Sequence, residues 1–575
     1  MVPASLPFRR CQTVFVKVSL LRPVLAAVLL LLTLGSSADG SPVGERLRHR
    51  LETADGPEQI TVGEDLLQCE TTLRRFYQER GFAPAWVRDA FPLADLDSLI
   101  AVLGTVRDEG LDPEDYHFGH LKRLREQADP ENRDGGGNGA LVDLDLLATD
   151  AFLLGASHFL SGKVDPGDLD PEWVANRRQA DLAALLHQAL KEGKVGEALR
   201  GLLPPQPGYR RLRALLGSFR RLAEEGGWPT IEAGPRLELG SRGDRVIQLR
   251  KRLAVSAPGG LSPLADPDNP VFSEDLDLAV REFQRSLGLD ADGVVGQSTL
   301  QALNVSAAER VRQIEVNLER WRWLPQDLGR QHILVNIADF RLDVRRDGQV
   351  ELTLPVIVGK QYRRTPVFSA DMTYLVLSPA WEVPHMLAVQ DKLPLIQQDS
   401  GYLEKLGFQV LQGWGAEEKV IDPGTVAWGD LSPRRFPYRL RQAPGPLNAL
   451  GRVKFMFPNK FNVYIHDTPS RELFRKPERT FSSGCIRVQR PEELAFYLLK
   501  DRAEWPQEAI LAAMDSGREK TVRLPKPLPV HLEYWTAWVD HDGSAHFRND
   551  IYKRDEALGA ALDVPPPGST GEGPR

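Results

Sequence analysis

Cysteine is scarce in this chain: its 575 residues include three, Cys11, Cys69 and Cys485. That excludes a fold stapled by several disulfides. Dense positive runs are missing too. Lys and Arg number 72 against 79 Asp and Glu, and no segment has the basic clustering that nucleic acid demands. The N-terminal apolar run, 24–34, is short of the roughly twenty residues needed to span a bilayer. The glycine run at 132–139 lacks the Lys-Ser/Thr of a phosphate loop and no strand precedes it, so it reads as a flexible connection. Asp290, Asp292 and Gly293 lack the acidic twelfth-position ligand of a calcium loop and read as a turn. His117 and His120 flank Gly119 with no third metal ligand indicated. No metal and no cofactor is expected.

What is present is a long, ordinary globular composition with an unusual start. At about 150 residues per domain, the length predicts three or four domains. Residues 1–38 carry Arg9, Arg10, Lys17 and Arg22 without an acid, then the apolar run, then small residues Ser36, Ser37 and Ala38. That is the pattern of a secretory signal peptide, with an uncleaved membrane anchor as the alternative. Cys11 lies before the apolar run, so it is not a lipidation site after it. Cleavage would take the net charge from −7 to −11. Cys69 and Cys485 are expected to stay free, Cys69 as a buried thiol in a helical pattern.

Residues 39–235 read as a helical scaffold. Leu66, Leu67, Leu73, Phe76 and Tyr77 fall at helical spacing, and 95–108 and 141–160 are further helices. Asp170 to Trp173 reads as a turn with an aromatic anchor. Residues 236–306 read as a compact three-helix unit, with helices at 246–253, 274–287 and 297–303. Ser241 or Asp244 would cap the first, and Leu278, Val280 and Phe283 are core candidates. From His332 strands dominate (333–337, 340–344, 352–358, 374–377), with Asp347-Gly348 as a hairpin turn. The run from Pro379 to Pro384 breaks the pattern. Residues 385–441 then leave strand rhythm, with a helical stretch interrupted at Pro394. Pro491 opens a helix through Leu499. Residues 530–539 and 545–547 are expected to form a final strand pair turning at Asp542-Gly543, before a disordered tail at 564–575.

The chemistry concentrates at 463–490. Val463, Tyr464 and Ile465 form a β-prone run that delivers His466, and Ser482-Ser483-Gly484-Cys485 tightens the chain before a strand at 486–488. An imidazole beside a thiol can take its proton and activate it. Gly484 lets backbone N–H groups around Cys485 turn toward a developing oxyanion. Arg487, two residues on, shares a strand face with Cys485 and can hold a carboxylate; Tyr464 shares a face with His466. Asp467 points the other way, so a backbone carbonyl is the better partner for His466. Taken singly, the Cys and the His have ordinary structural readings; together with Gly484 and Arg487 they form a nucleophilic site.

His466 and Ser482-Ser483-Gly484-Cys485-Ile486-Arg487 resemble the signature of the YkuD-type L,D-transpeptidases, and 441–459 and 466–474 resemble more narrowly their large periplasmic YcbB branch. Ser483 stands where many relatives carry a second His. The three-helix unit resembles a type-one peptidoglycan-binding module. The resemblance implies an α+β multidomain chain: helical N-terminal scaffold (39–235), peptidoglycan-binding-like module (236–306), mainly-β catalytic domain (307–506) with a capping insertion (385–441), and a C-terminal β extension and tail (507–575). It implies a periplasmic cysteine transpeptidase that makes 3-3 cross-links between peptidoglycan stem peptides and releases D-Ala. Catalysis would fall to Cys485 and His466, the oxyanion loop to Gly484 and Ser483, and substrate binding to Arg487 and Tyr464. It also implies acylation by carbapenem-type inhibitors and work alongside other cell-wall synthesis enzymes. A sortase keeps a much longer His-to-Cys separation than the 19 residues here. A wall-binding scaffold with a silent catalytic domain is the remaining alternative.

Overall fold

The computed structural model describes residues 41–53, 60–89, 91–129, 138–174, 177–255, 264 and 266–566. The signal-peptide segment with Cys11, most of the glycine run and the tail from 567 lie outside the described residues.

The N-terminal helices wrap one buried helix, Asn138–Ser161. From Leu141 to Leu160 its side chains are apolar around much of its circumference, so it can only be stable at a centre. The fully buried carboxylate Asp145 is satisfied there by the Ala85 and Trp86 amides and the Tyr77 hydroxyl. The region is not purely helical: Thr61–Val62 pairs with Asp65–Leu66, and Val87–Arg88 with Phe91–Pro92. Cys69, in no disulfide, is buried at the N-cap of helix Glu70–Glu79.

In the next unit helices Asp244–Ala254, Glu274–Ser286 and Gln297–Leu303 pack into a core shared with Tyr209–Phe219, Ile314–Trp321 and Trp535–Phe547. Leu276, Ala279, Val280 and Phe283 are buried, but Leu278 is 46% exposed, correcting its assignment to the core. The apolar face runs through 276, 279/280 and 283, and 278 lies on the opposite side of the helix. Gly243, with φ +123°, occupies the first helix's N-cap without a side-chain cap, while Ser241 Oγ accepts from the Glu238 amide. Helix Ala307–Arg322 then starts on a reciprocal Ser306–Glu309 capping box and leads into the sheet.

The sheet has nine strands in the order Thr480–Ser482, Gln349–Gly359, Ile486–Val488, Ile465–His466, Val453–Met456, Phe368–Leu377, Lys520–Glu533, Gln331–Asn336, Arg341–Arg346. Arg341–Arg346 pairs back onto Gln349–Gly359, so the sheet closes into a ring. The hairpin between those two strands turns on Asp347 (φ +50°) and Gly348 (φ +80°), the left-handed pair that matches strand twist. The sheet is not complete at residue 506. Lys520–Glu533 inserts between Phe368–Leu377 and Gln331–Asn336, and only Ala537–Val539 pairs with Ala545–Phe547. The expected final pair over 530–539 is thus divided between two sheets. Helix Asp555–Asp563 follows.

The insertion does contain strands. Lys419–Ile421, Phe408–Gln412, Arg439–Gln442 and Trp381–Glu382 form a separate four-stranded sheet, so the segment from Pro379 to Pro384 is also a strand site. Helical residues 385–398 continue through Pro394 because a wide π turn, Ala388–Lys392, precedes it and absorbs the missing N–H. Trp381, Val389, Leu393, Phe408, Val410 and Leu440 give this segment a core of its own.

Candidate active site

Ile465–His466 and Ile486–Val488 are neighbouring parallel strands, with Ile465 opposite Ile486 and His466 opposite Arg487. The Ile486 amide donates to the Tyr464 carbonyl at 3.1 Å. One step back along this register Cys485 faces Tyr464. Paired positions in a ladder point to the same side, so Tyr464, His466, Cys485 and Arg487 share one face.

His466 is buried, and its Nδ1 lies 2.5 Å from the Asp467 carbonyl oxygen. An N–H on Nδ1 donating there leaves Nε2 as the proton acceptor. Burial first, then the charge of Arg487, pulls its pKa down to about 3. Asp467 is itself pinned. Its carboxylate accepts from the Arg452 amide at 2.9 Å and pairs with Arg471 at 2.8 Å. It also lies against Gly451 (φ +60°), where a Cβ would come within 2.4 Å of the carboxyl.

Cys485 is half-buried. Burial pushes its thiol up to about 11, against the Tyr464 backbone and hydroxyl and the Arg487 charge, which pull it down. The Tyr464 hydroxyl interacts with the thiol and with Trp381 of the inserted sheet. The Tyr464 and His466 rings are 5.6 Å apart. At neutral pH the site therefore holds a thiol and a neutral imidazole, a pair in which the imidazole can accept the thiol proton.

The loop before Cys485 corrects one expectation. Gly484, at φ +114°, donates its N–H to Ser482 Oγ at 3.1 Å, so that N–H is not free for an oxyanion. Ser482 Oγ in turn donates to the Cys485 carbonyl at 2.5 Å. Among the described residues the Cys485 amide has no partner. It and the Tyr464 hydroxyl are donors on this face that could meet negative charge developing beside Cys485.

Ser483 is exposed and faces Arg363, whose guanidinium is 3.3 Å from its hydroxyl. The same guanidinium bonds Gln390 at 2.9 Å and Asp391 at 2.7 Å on the inserted helical stretch. Arg487 has no ion pair among the described residues, and its Nε is buried without a hydrogen bond. Burial lowers its pKa, opposed by the Cys485 and Glu472 charges.

Sequence reasoning missed the residues that hold this loop. Thr365 is fully buried; its Oγ1 donates to the Gly484 carbonyl at 2.9 Å and accepts from the Gly359 amide at 2.9 Å. Tyr552, from the C-terminal extension, donates to the Gly359 carbonyl at 2.6 Å and accepts from the Thr365 amide at 3.1 Å. Gly359 must be glycine, since a Cβ would sit 2.1 Å from the Arg363 carbonyl. The scaffold reaches the same loop. Val367 exchanges backbone bonds with Glu172 and Val174, and Arg364 lies 3.5 Å from Asp170. Buried Trp173 anchors that contact against Trp323 and Tyr534. Thr365 and Tyr552 belong to no motif, and their sequence neighbours give no signal.

Residues 330–506 match the model of the L,D-transpeptidase catalytic domain, 242–303 that of a "Putative peptidoglycan binding domain", and 71–216 that of a scaffold domain. A protein from Haemophilus influenzae named "Putative L,D-transpeptidase" is 35% identical over 250 residues. The match covers 44% of this chain and 49% of that protein, so the chain spans about half the length of its curated relative. Among solved structures, an L,D-transpeptidase from Mycobacterium smegmatis matches at 13% identity and TM-score 0.19, over 36% of this chain and 58% of that one. One from Stackebrandtia nassauensis matches at 14% identity and TM-score 0.22, over 53% and 96%. At those TM-scores the structural likeness carries no weight. The family models do: residues 330–506 are a YkuD L,D-transpeptidase catalytic domain, in a chain that also carries a helical scaffold and a peptidoglycan-binding module.

Proposed function

We propose that this chain, on the strength of its YkuD catalytic domain, is an L,D-transpeptidase of the YcbB type, exported to the periplasm. It acts on peptidoglycan stem peptides through Cys485. The observation that carries the reading is the shared face of His466, Cys485, Tyr464 and Arg487, beside a Cys485 amide that has no partner among the described residues.

His466 Nε2 takes the thiol proton as Sγ attacks the carbonyl carbon of the third, diamino-acid residue of a donor tetrapeptide. The Cys485 N–H and the Tyr464 O–H meet the oxyanion, a contribution worth about 3–4 kcal/mol per donor in sites of this kind. Collapse expels D-Ala, whose amine takes the proton back from His466, and leaves a thioester. The side-chain amine of a second stem attacks that thioester. The thiolate leaves, His466 removes the amine proton and returns it to sulfur, and a 3-3 cross-link remains. Arg487, without an ion pair among the described residues, receives a stem carboxylate.

The inserted domain caps the substrate. Its Trp381 touches the tyrosine that touches the nucleophile, and its Asp391 is tied through Arg363 to Ser483. Carbapenem-type inhibitors acylate the same sulfur.

Intact-protein mass after incubating residues 39–575 with a carbapenem tests the reading. One adduct is expected on the wild type and none on Cys485→Ala. A wild type that stays unmodified while folded would sink the proposal in favour of a wall-binding scaffold.

A further inference from the structure

The connection from His466 to Cys485 does more than link two strands. At 474–479 it forms one wall of a cleft of about 330 Å³ whose other wall is the end of the peptidoglycan-binding module, Arg285 and Gly288 to Asp290. Asp339, Phe340 and Arg548 complete it.

The cleft is rigidly built. Arg548 donates to Asp339 at 2.7 Å on the catalytic side and to the Ser286 carbonyl at 2.7 Å on the module side. Gly288 (φ +68°) leaves room for it, since a Cβ there would lie 2.7 Å from the Arg548 guanidinium. Arg479 is fixed by the Val356, Lys476 and Phe340 carbonyls at 3.0 to 3.1 Å. One arginine thus joins the two domains and another sets the floor.

The charge of the cleft is one-sided. Five cations line it against two carboxylates, Asp290 and Asp339, and Asp339 is already paired with Arg548. Arg285, Arg475 and Lys476 are exposed at the rim and make no ion pair among the described residues. The chain as a whole carries −7, so this concentration of positive charge runs against its balance. Clefts lined by one sign of charge concentrate ligands of the other.

The position favours an extended ligand. From Arg479 the chain runs through strand Thr480–Ser482 directly to Cys485. The six residues from Arg479 to Cys485 reach at most about 20 Å even fully extended, and the bend at 483–485 shortens that, so a polymer seated in the cleft can present a neighbouring peptide to the sulfur.

We infer that this cleft is a second binding site, which holds carboxylate-bearing stem peptides of the wall polymer and tethers the strand being processed. The inference rests on the peptidoglycan reading above. Surface arginines with free hydrogen-bond forks suit carboxylates.

The full chain carrying Cys485→Ala, which binds without turning over, is sedimented with purified peptidoglycan sacculi across a salt series. It is compared with the same chain bearing Arg475→Glu and Lys476→Glu, and with sacculi whose carboxyls have been converted to amides. Reversing two rim charges is expected to weaken binding about tenfold and flatten its salt dependence. Amidated sacculi are expected to bind the parent as weakly as native sacculi bind the variant. Equal sedimentation of parent and variant, or undiminished binding of amidated sacculi, overturns the inference. Arg285→Glu, an exposed charge on the module side of the cleft, gives the same comparison if the double variant does not fold. Failure of the transpeptidase reading shows separately, as absence of a carbapenem adduct on the wild type.

Discussion

Replacing Thr365 by Val tests the loop architecture with little change in side-chain volume. The substitution removes a hydroxyl that bridges the Gly359 amide and the Gly484 carbonyl, each at 2.9 Å. Both backbone groups are then left without that partner in a buried place, at about 1–3 kcal/mol each. Gly484 at φ +114° loses the bond that fixes its carbonyl, and the Cys485 amide that follows it shifts. Complete loss of an oxyanion donor costs about 10²–10³ in rate, so a displaced one is expected to slow acylation about 10- to 100-fold. The assay is the rate of carbapenem adduct formation, followed by intact mass at several concentrations to separate the acylation step from initial binding. The acylation step should fall while initial affinity holds. Thr365→Ser, which keeps the hydroxyl, should stay within about threefold of the wild type. A Thr365→Val protein that melts earlier but acylates at the wild-type rate would refute the argument: Thr365 would then be packing alone.

Tyr552→Phe removes the hydroxyl that braces Gly359 and Thr365 but keeps the ring stacked on Tyr534, so acylation should slow in the same direction and by less. Because His466 is held near pH 3 and the thiol near 11, the acylation rate should stay flat from pH 7.5 to 5. An ordinary imidazole of pKa about 6.5 would lose most of its basic form over that range. Arg487→Gln removes a positive charge that depresses both groups, so both limbs of a pH–rate profile should move to higher pH. Asp391→Asn weakens the Arg363 tie between the cap and Ser483, and amide exchange over 385–398 should quicken in hydrogen–deuterium measurements. Gly451→Ala drives a methyl into the Asp467 carboxyl at a left-handed position; melting temperature and acylation rate should both fall, and unchanged values would remove Asp467 as the support of His466.

The rough architecture and the candidate site residues were legible along the chain. The helical periodicity, the Asp347-Gly348 hairpin and the helix opened by Pro491 are local patterns, set by propensity and turn geometry that neighbouring residues determine. So is the gathering of His466, Cys485 and Arg487 into a window of turn formers, with Gly484 before the cysteine. Period-two alternation also placed Tyr464 with His466 and Cys485 with Arg487 before any register was known.

Tertiary structure decided what those patterns leave open. Only the parallel pairing of Ile465 with Ile486 brings the two faces together, because register is a contact between strands and not a property of either. Only the fold shows that the Gly484 amide is already spent on Ser482, so that the proposed reaction turns to the Cys485 amide and the Tyr464 hydroxyl. The strand Lys520–Glu533 completes the catalytic sheet from beyond the expected domain end, since a closed ring needs a partner for each inner edge wherever in the chain it lies. Thr365 and Tyr552 are 120 residues before Cys485 and 67 after it, in stretches without a motif. They matter because burial leaves backbone groups in want of partners, and the nearest hydroxyls in space, not in sequence, supply them.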